Sequence, residues 1–140
     1  MIILEFFAMI VVIDEIAYYG RYYGQDIDHD PYNWWFCLFD YKCYNLDEFQ
    51  EFGFDYDDLN YDNGYIPLFR TDVSLLAKRF LSYQVKSDYQ PIISKYDDFF
   101  IAFNVYLDHY SKGCEWHLFE KDSLKRDAIK WCKDYHLRWK

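Results

Sequence analysis

The chain has 140 residues, a mass of 17.3 kDa and a formal net charge of −9, from 15 Lys and Arg against 24 Asp and Glu. That length lies near the mode for one domain, and 16 Tyr, 13 Phe and 5 Trp supply enough apolar surface for a core, which argues against a disordered chain. A pI near 4.7 argues against the basic surface on which general nucleic-acid affinity rests.

Residues Met1 to Ile13 form an apolar run broken only by Glu5. It is shorter than the roughly 20 residues a bilayer requires, and no basic region or small-residue cleavage site marks it as a secretory signal. The expectation is a cytoplasmic protein whose Cys37, Cys43, Cys114 and Cys132 are thiols. The conformation of this first segment stays open. Phe6, Met9, Ile13 and Ala17 fit one helical face, whereas the β-branched residues from Met9 to Ile13 suit a buried strand.

After Gly20 and Gly24 comes an Asp-rich loop with Asp26, Asp28 and Asp30, closed by Pro31. Trp34 to Phe39 reads as an interior strand. Asn45 followed by Glu48 has the spacing of a capping box, predicting a short helix through Phe52 that Gly53 stops. From Phe54 to Tyr65 acids alternate with aromatics, and Asn63-Gly64 signals a tight turn within a hairpin or acidic loop. Pro67 confines its strand to a sheet edge.

From Thr71 onward the period becomes helical. Thr71 is expected to cap a helix with the face Val73, Leu76, Ala77 and Phe80. Asp97 or Asp98 caps a second, carrying Phe99, Phe103, Tyr106 and Tyr110 and ending at Lys112-Gly113. A last helical region carries Trp116 and Phe119, then Leu124, Ala128, Trp131, Cys132 and Tyr135. The expected fold class is α+β in a single domain over 1–140, with a predominantly helical C-terminal half. A small antiparallel sheet or hairpin is expected in the N-terminal half, around residues 33–44 and 59–69.

Two resemblances extend this reading. Ile66-Pro-Leu68, Phe100 to Phe103, Trp116 to Phe119 and Ala128 to Cys132 are similar to the pattern of a family of small uncharacterised bacterial proteins, over residues 65–137. That resemblance implies a mainly helical fold and no chemistry. Tyr22-Tyr-Gly-Gln-Asp-Ile-Asp28 resembles the stretch with which barstar-type nuclease inhibitors enter a partner's basic active site. It implies that Tyr22 is an aromatic contact and that Asp28 faces the nuclease's cations, although Pro31 would interrupt a helix continuing from it.

Charge is divided unevenly along the chain: residues 1–66 hold 14 acids and two bases, residues 67–140 hold 10 acids and 13 bases, so the parts carry −12 and +3. A concentrated negative field attracts a basic partner, while the plainer use of surface Asp is solubility. The spacing Asp26-x-Asp28-x-Asp30 is that of the first ligands of a calcium loop, but Pro31 stands where the loop needs Gly and Cys37 where it needs Glu. Cys114 with His117 and Cys132 with His136 have spacings a zinc site could use, in an order unlike the common modules. No phosphate loop, nucleophile elbow or metalloprotease helix is present.

The functional expectation is therefore a stoichiometric inhibitor, an immunity protein or antitoxin, with no cofactor and no catalytic residues. It would neutralise a basic nuclease toxin without touching nucleic acid or membrane, and stand alone as a monomer or weak dimer. The expected partner surface comprises Tyr22, Asp26, Asp28, Asp30, Asp55, Tyr56, Asp57, Asp58, Tyr61 and Asp62. Alternatives are a phage-encoded inhibitor that imitates nucleic acid, and a small enzyme using a Cys or Asp cluster.

Overall fold

The computed structural model describes residues 9–23, 34–53 and 55–140. They fall into two compact units: one built from residues up to Tyr22, 26–71 and 124–140, the other mainly from 72–123.

In the first unit the N-terminal segment is described from Met9 onward; Phe6, with the rest of residues 1–8, lies outside the described residues. Val11 is extended and forms a parallel bridge to Trp139, with Val11 N–H donating to the Arg138 carbonyl (2.8 Å) and Lys140 N–H to the Val11 carbonyl (2.9 Å). Two residues later the chain turns into a short helix, α1 (Ile13–Ile16), followed by a 3-10 turn at Ala17–Gly20. Gly20 has no Cβ, which leaves the space occupied by the ring of Phe69.

The chain then supplies strand β1 (Arg21–Tyr22) and an antiparallel three-stranded sheet made of β2 (Trp34–Cys37), β3 (Lys42–Asn45) and β4 (Tyr65–Pro67). The strand order is β3-β2-β4, with Phe36 opposite Cys43 on one side and Ile66 on the other. β2 is central and covered on both faces, which is why Trp35, Phe36 and Cys37 are all buried. Pro67 lies on the edge strand, where its missing N–H breaks no ladder. Asn45 and Glu48 form the expected capping box at the start of helix α2 (Leu46–Glu51): Glu48 N–H donates to Asn45 Oδ1 (2.8 Å) and Asn45 N–H to Glu48 Oε2 (3.0 Å). Gly53 follows at φ 83°.

The interior-strand expectation for Trp34 to Phe39 overran by two residues. β2 ends at Cys37, and residues 38–41 turn the chain back into β3, with Tyr41 in the left-handed region at φ 57° and its N–H on the Cys37 carbonyl (2.8 Å). Neither Gly nor Asn marks this turn, and Asp40 is its one sequence signal.

After β4 come β5 (Thr71–Asp72), which pairs with β1, and four helices: α3 (Val73–Ser82), α4 (Lys86–Ile93), α5 (Phe99–His109) and α6 (Gly113–Asp134). Asp72, not Thr71, caps α3, accepting from Ser74 N–H (2.9 Å) and Leu75 N–H (3.2 Å). Thr71 is extended, and its hydroxyl donates to Asp127 (2.7 Å). α4 was not anticipated, because Pro91 lies inside it and no residue of it is fully buried, leaving no apolar stripe to read. Asp98 caps α5 through Ile101 N–H (3.0 Å). The expected stop at Lys112-Gly113 moves back: Ser111 takes the left-handed position at φ 54°, Lys112 N–H returns to the Leu107 carbonyl (2.8 Å), and Gly113 opens α6. Among the described residues no helix is long and apolar enough to cross a membrane.

Each unit has its own core. In the second, Phe80, Phe103 and Tyr106 are buried, with the Trp116 ring edge-on to Phe103 at 4.9 Å and to Phe80 at 5.5 Å. In the first, Leu124, Ala128, Trp131 and Cys132 are buried along one face of α6, and the last three pack with Val11, Ile16, Phe36 and Ile66. Trp131 sets this packing. Its ring meets Phe36 edge-on at 5.1 Å and its indole N–H donates to the Pro67 carbonyl at 3.0 Å. α6 closes with His136 in the left-handed region at φ 56° and Leu137 N–H on the Cys132 carbonyl (2.8 Å), burying Leu137 against the same core.

Trp131→Ala is expected to cost about 3–5 kcal/mol of stability, and Trp131→Phe distinctly less because a ring remains. Urea unfolding of both variants checks this. His136→Gly is expected to raise stability by about 1 kcal/mol, since glycine takes the left-handed conformation without a Cβ clash; the same assay reads it as a higher midpoint.

Candidate functional site

Residues 38–65 hold eight acids and one base, Lys42. Within them the expected partner segment is an ordered loop. A 3-10 turn at Tyr56–Asp58 is followed by a second at Tyr61–Asn63 and by Gly64 at φ 84°, the left-handed position that Asn63-Gly64 predicts.

Local hydrogen bonds fix this loop. Asp55 N–H donates to the Asp58 carboxylate (2.9 Å), the Asn60 amide to the Asp57 carbonyl (3.1 Å), and the Asn63 amide to the Asp58 carbonyl (2.9 Å). Asn60 also caps the second turn by accepting from Asn63 N–H (2.9 Å). Between the two turns Leu59 is buried in a small core with Trp35 and Phe49, so the loop is pinned at its middle. Leu59 faces inward, while Asp55, Asp57, Asp58, Tyr61 and Asp62 are exposed. Among the described residues no ion pair holds any of these four acids.

The other expected contacts are placed differently. Tyr22 lies in β1, on a separate sheet from the one bordering this loop; it is half-buried, and the Arg70 guanidinium sits 5.4 Å from its ring centre. Its ring face is therefore engaged within the chain. The backbone of Tyr56 belongs to the first turn. Asp26, Asp28 and Asp30, with the spacing once matched to a calcium loop, lie outside the described residues.

Sequence reasoning missed two exposed rings. Phe39, at the tip of the β2–β3 turn, is 74% exposed, and Phe52, just after α2, is 72% exposed. Phe39 was assigned to a buried strand, and the only signal against this was Asp40 directly after it. The Phe39 ring lies against Gly64, where a Cβ would overlap it, and Gly64 N–H donates to the Tyr61 carbonyl (2.9 Å). Phe39 and the acidic loop thus meet at Gly64.

Asp40 accepts from Lys42 N–H (3.1 Å) and through a short bond from the Tyr44 hydroxyl. That bond, with desolvation adding to it, pushes the Tyr44 phenol up to about 12. Burial pushes the Cys43 thiol up to about 12 and the Cys132 thiol to about 11, and also raises Cys37. A pocket of about 410 Å³ is lined by Glu15, Ile16, Tyr19, Tyr41, Lys42 and Cys43, but a thiol held protonated is a poor nucleophile there. Cys114 and His117 lie at the start of α6 and Cys132 near its end, about 27 Å apart along the axis at 1.5 Å per residue, too far to share one tetrahedral zinc. Among the described residues no group of three or more His, Cys, Asp or Glu could hold a metal ion.

No protein-family model, curated protein or solved structure matches the chain.

Stability is expected to decline as pH rises from about 9 to 12. The unfolded chain ionises its thiols near 9.0 and its phenols near 10.0, whereas Cys43 and Tyr44 hold their protons to about 12 in the fold, so the unfolded state binds fewer protons across that window. Urea midpoints measured through this range should fall, and Cys43→Val should flatten the fall.

Proposed function

We propose that the chain is a cytoplasmic stoichiometric inhibitor, an immunity protein or antitoxin, that neutralises a basic nuclease toxin. The observation that carries this reading is the loop at residues 55–63. Its exposed carboxylates are held by a buried leucine and side-chain caps, inside a stretch with eight acids and one base.

A fixed acidic surface loses little conformational entropy on docking, and its field raises the encounter rate with a cationic cleft. Tyr61, 69% exposed, offers contact area with a polar tip, the kind of residue that holds a complex once formed. A small enzyme built on an acid cluster would instead need carboxylates converging on a substrate-sized cavity. The four acids here are all exposed on the loop.

The test is recovery of the bound protein from the native host, followed by titration of its nuclease activity. A basic nuclease silenced at equimolar ratio is the expected result, and a partner without such activity would remove the proposal. The combined variant Asp57→Asn, Asp58→Asn and Asp62→Asn is expected to slow association roughly tenfold or more at low salt and to differ little at high salt. Asn at position 58 still offers an oxygen to Asp55 N–H, so the loop stays intact. Stopped-flow association of parent and variant reads the difference.

A further inference from the structure

We infer that Asn63 is a site of spontaneous modification: with Gly64 it converts to aspartate or isoaspartate when the acidic loop opens, and the folded loop holds that reaction back. This rests on the loop's own geometry and chemistry and not on the proposed partner.

The chemistry is set by the pair of residues. An asparagine side chain is open to attack by the next backbone nitrogen, and glycine, with no side chain, hinders that approach least. The Gly64 nitrogen gives up its proton and bonds to Asn63 Cγ; the Cγ–Nδ2 bond breaks, and Nδ2 leaves as ammonia with that proton. Water then opens the resulting succinimide at one carbonyl or the other, leaving aspartate or isoaspartate at position 63. The chain has five asparagines, and the other four precede Trp34, Leu46, Tyr61 and Val105, so it carries its own controls.

In the fold both reacting groups are occupied. Asn63 Nδ2 donates to the Asp58 carbonyl (2.9 Å), and Gly64 N–H donates to the Tyr61 carbonyl (2.9 Å). Asn63 N–H donates to Asn60 Oδ1 (2.9 Å), and the Phe39 ring packs on Gly64, so bringing the two groups together requires the loop to open. The nearby carboxylates of Asp58 and Asp62 also disfavour the amide anion that the attack needs.

The product no longer suits the loop. The Asn63 amide is a donor facing a carbonyl, whereas the carboxylate that replaces it only accepts, so the bond to Asp58 is lost and a further negative charge joins the acids. Isoaspartate in addition lengthens the backbone before Gly64 and shifts the N–H that bonds Tyr61.

The full chain is incubated at neutral pH in native buffer and in denaturing urea, and conversion at each asparagine is followed by peptide mass spectrometry. Conversion is expected at Asn63 ahead of the others, and about tenfold or more faster in urea, because a reaction that needs an open state scales with the fraction open. Leu59→Ala removes the side chain that pins the loop, and Asn60→Ala removes the bonds to Asn63 N–H and the Asp57 carbonyl. Each should speed conversion about threefold or more in native buffer. Circular dichroism checks that both variants are folded; if Leu59→Ala unfolds, Asn60→Ala carries the comparison. Conversion no faster in urea than in native buffer, or unchanged in Asn60→Ala, would overturn the inference, as would urea conversion spread evenly over the asparagines. No partner enters these measurements, so their failure leaves the inhibitor reading standing.

Discussion

The first unit depends on where one indole can go. Trp131 is too large to leave in water on a helix that must cover the sheet, and its N–H cannot be buried without an acceptor. The fold answers both demands at Pro67. An edge-strand carbonyl is available there, and proline, with no N–H of its own, leaves that side of the strand open to the helix. The Phe36 ring then meets the indole edge-on, and Ala128, a single methyl, lets the helix approach. The C-terminal stretch follows from this. Once α6 is seated, its left-handed exit at His136 returns Leu137 to the core and brings residues 138–140 alongside Val11.

The candidate surface is a by-product of the opposite face of the same central strand. Trp35 points away from Trp131 toward Phe49 and Leu59, and Leu59 is what anchors the acidic loop. Like charges in a flexible loop would relax by spreading apart. Here the backbone is held by Asn60, Asn63 and the carboxylate of Asp58, so repulsion among the acids is retained in the folded state. A partner that neutralises them relieves it.

Legibility followed the range of the interaction. The capping box at Asn45, a cap at Asp97 or Asp98, the left-handed Gly64 and the edge position of Pro67 depend on a few neighbouring residues, and each could be read from them. A small antiparallel sheet in the N-terminal half and a mainly helical second half could also be read, from the apolar run at Trp34 and the helical period after Thr71. What could not be read depended on distant partners or on residues used against their preference. Thr71 gave up its capping role to Asp72 because its hydroxyl bonds Asp127, 56 positions away. Tyr41, Ser111 and His136 adopt left-handed backbone that composition assigns to Gly or Asn, so two helix ends and one hairpin turn were misplaced or unmarked. The acids of the loop were visible as a charge run; the exposure of Phe39 beside them was not, since Asp40 alone separates a turn phenylalanine here from the last residue of a buried strand.

The division of the chain into units also sets an order of events during synthesis. The second unit is almost continuous, so its helices can pack as soon as residue 123 has emerged. The first unit is split, and its core needs Val11 and Ile13 to meet Trp131 and Leu137, more than a hundred positions later. Closing so long a loop is slow and entropically costly, and it cannot begin until residues 131–137 have been made. The acidic loop belongs to this late unit. A nascent chain therefore carries the negative charge of the loop before the core of its unit is complete.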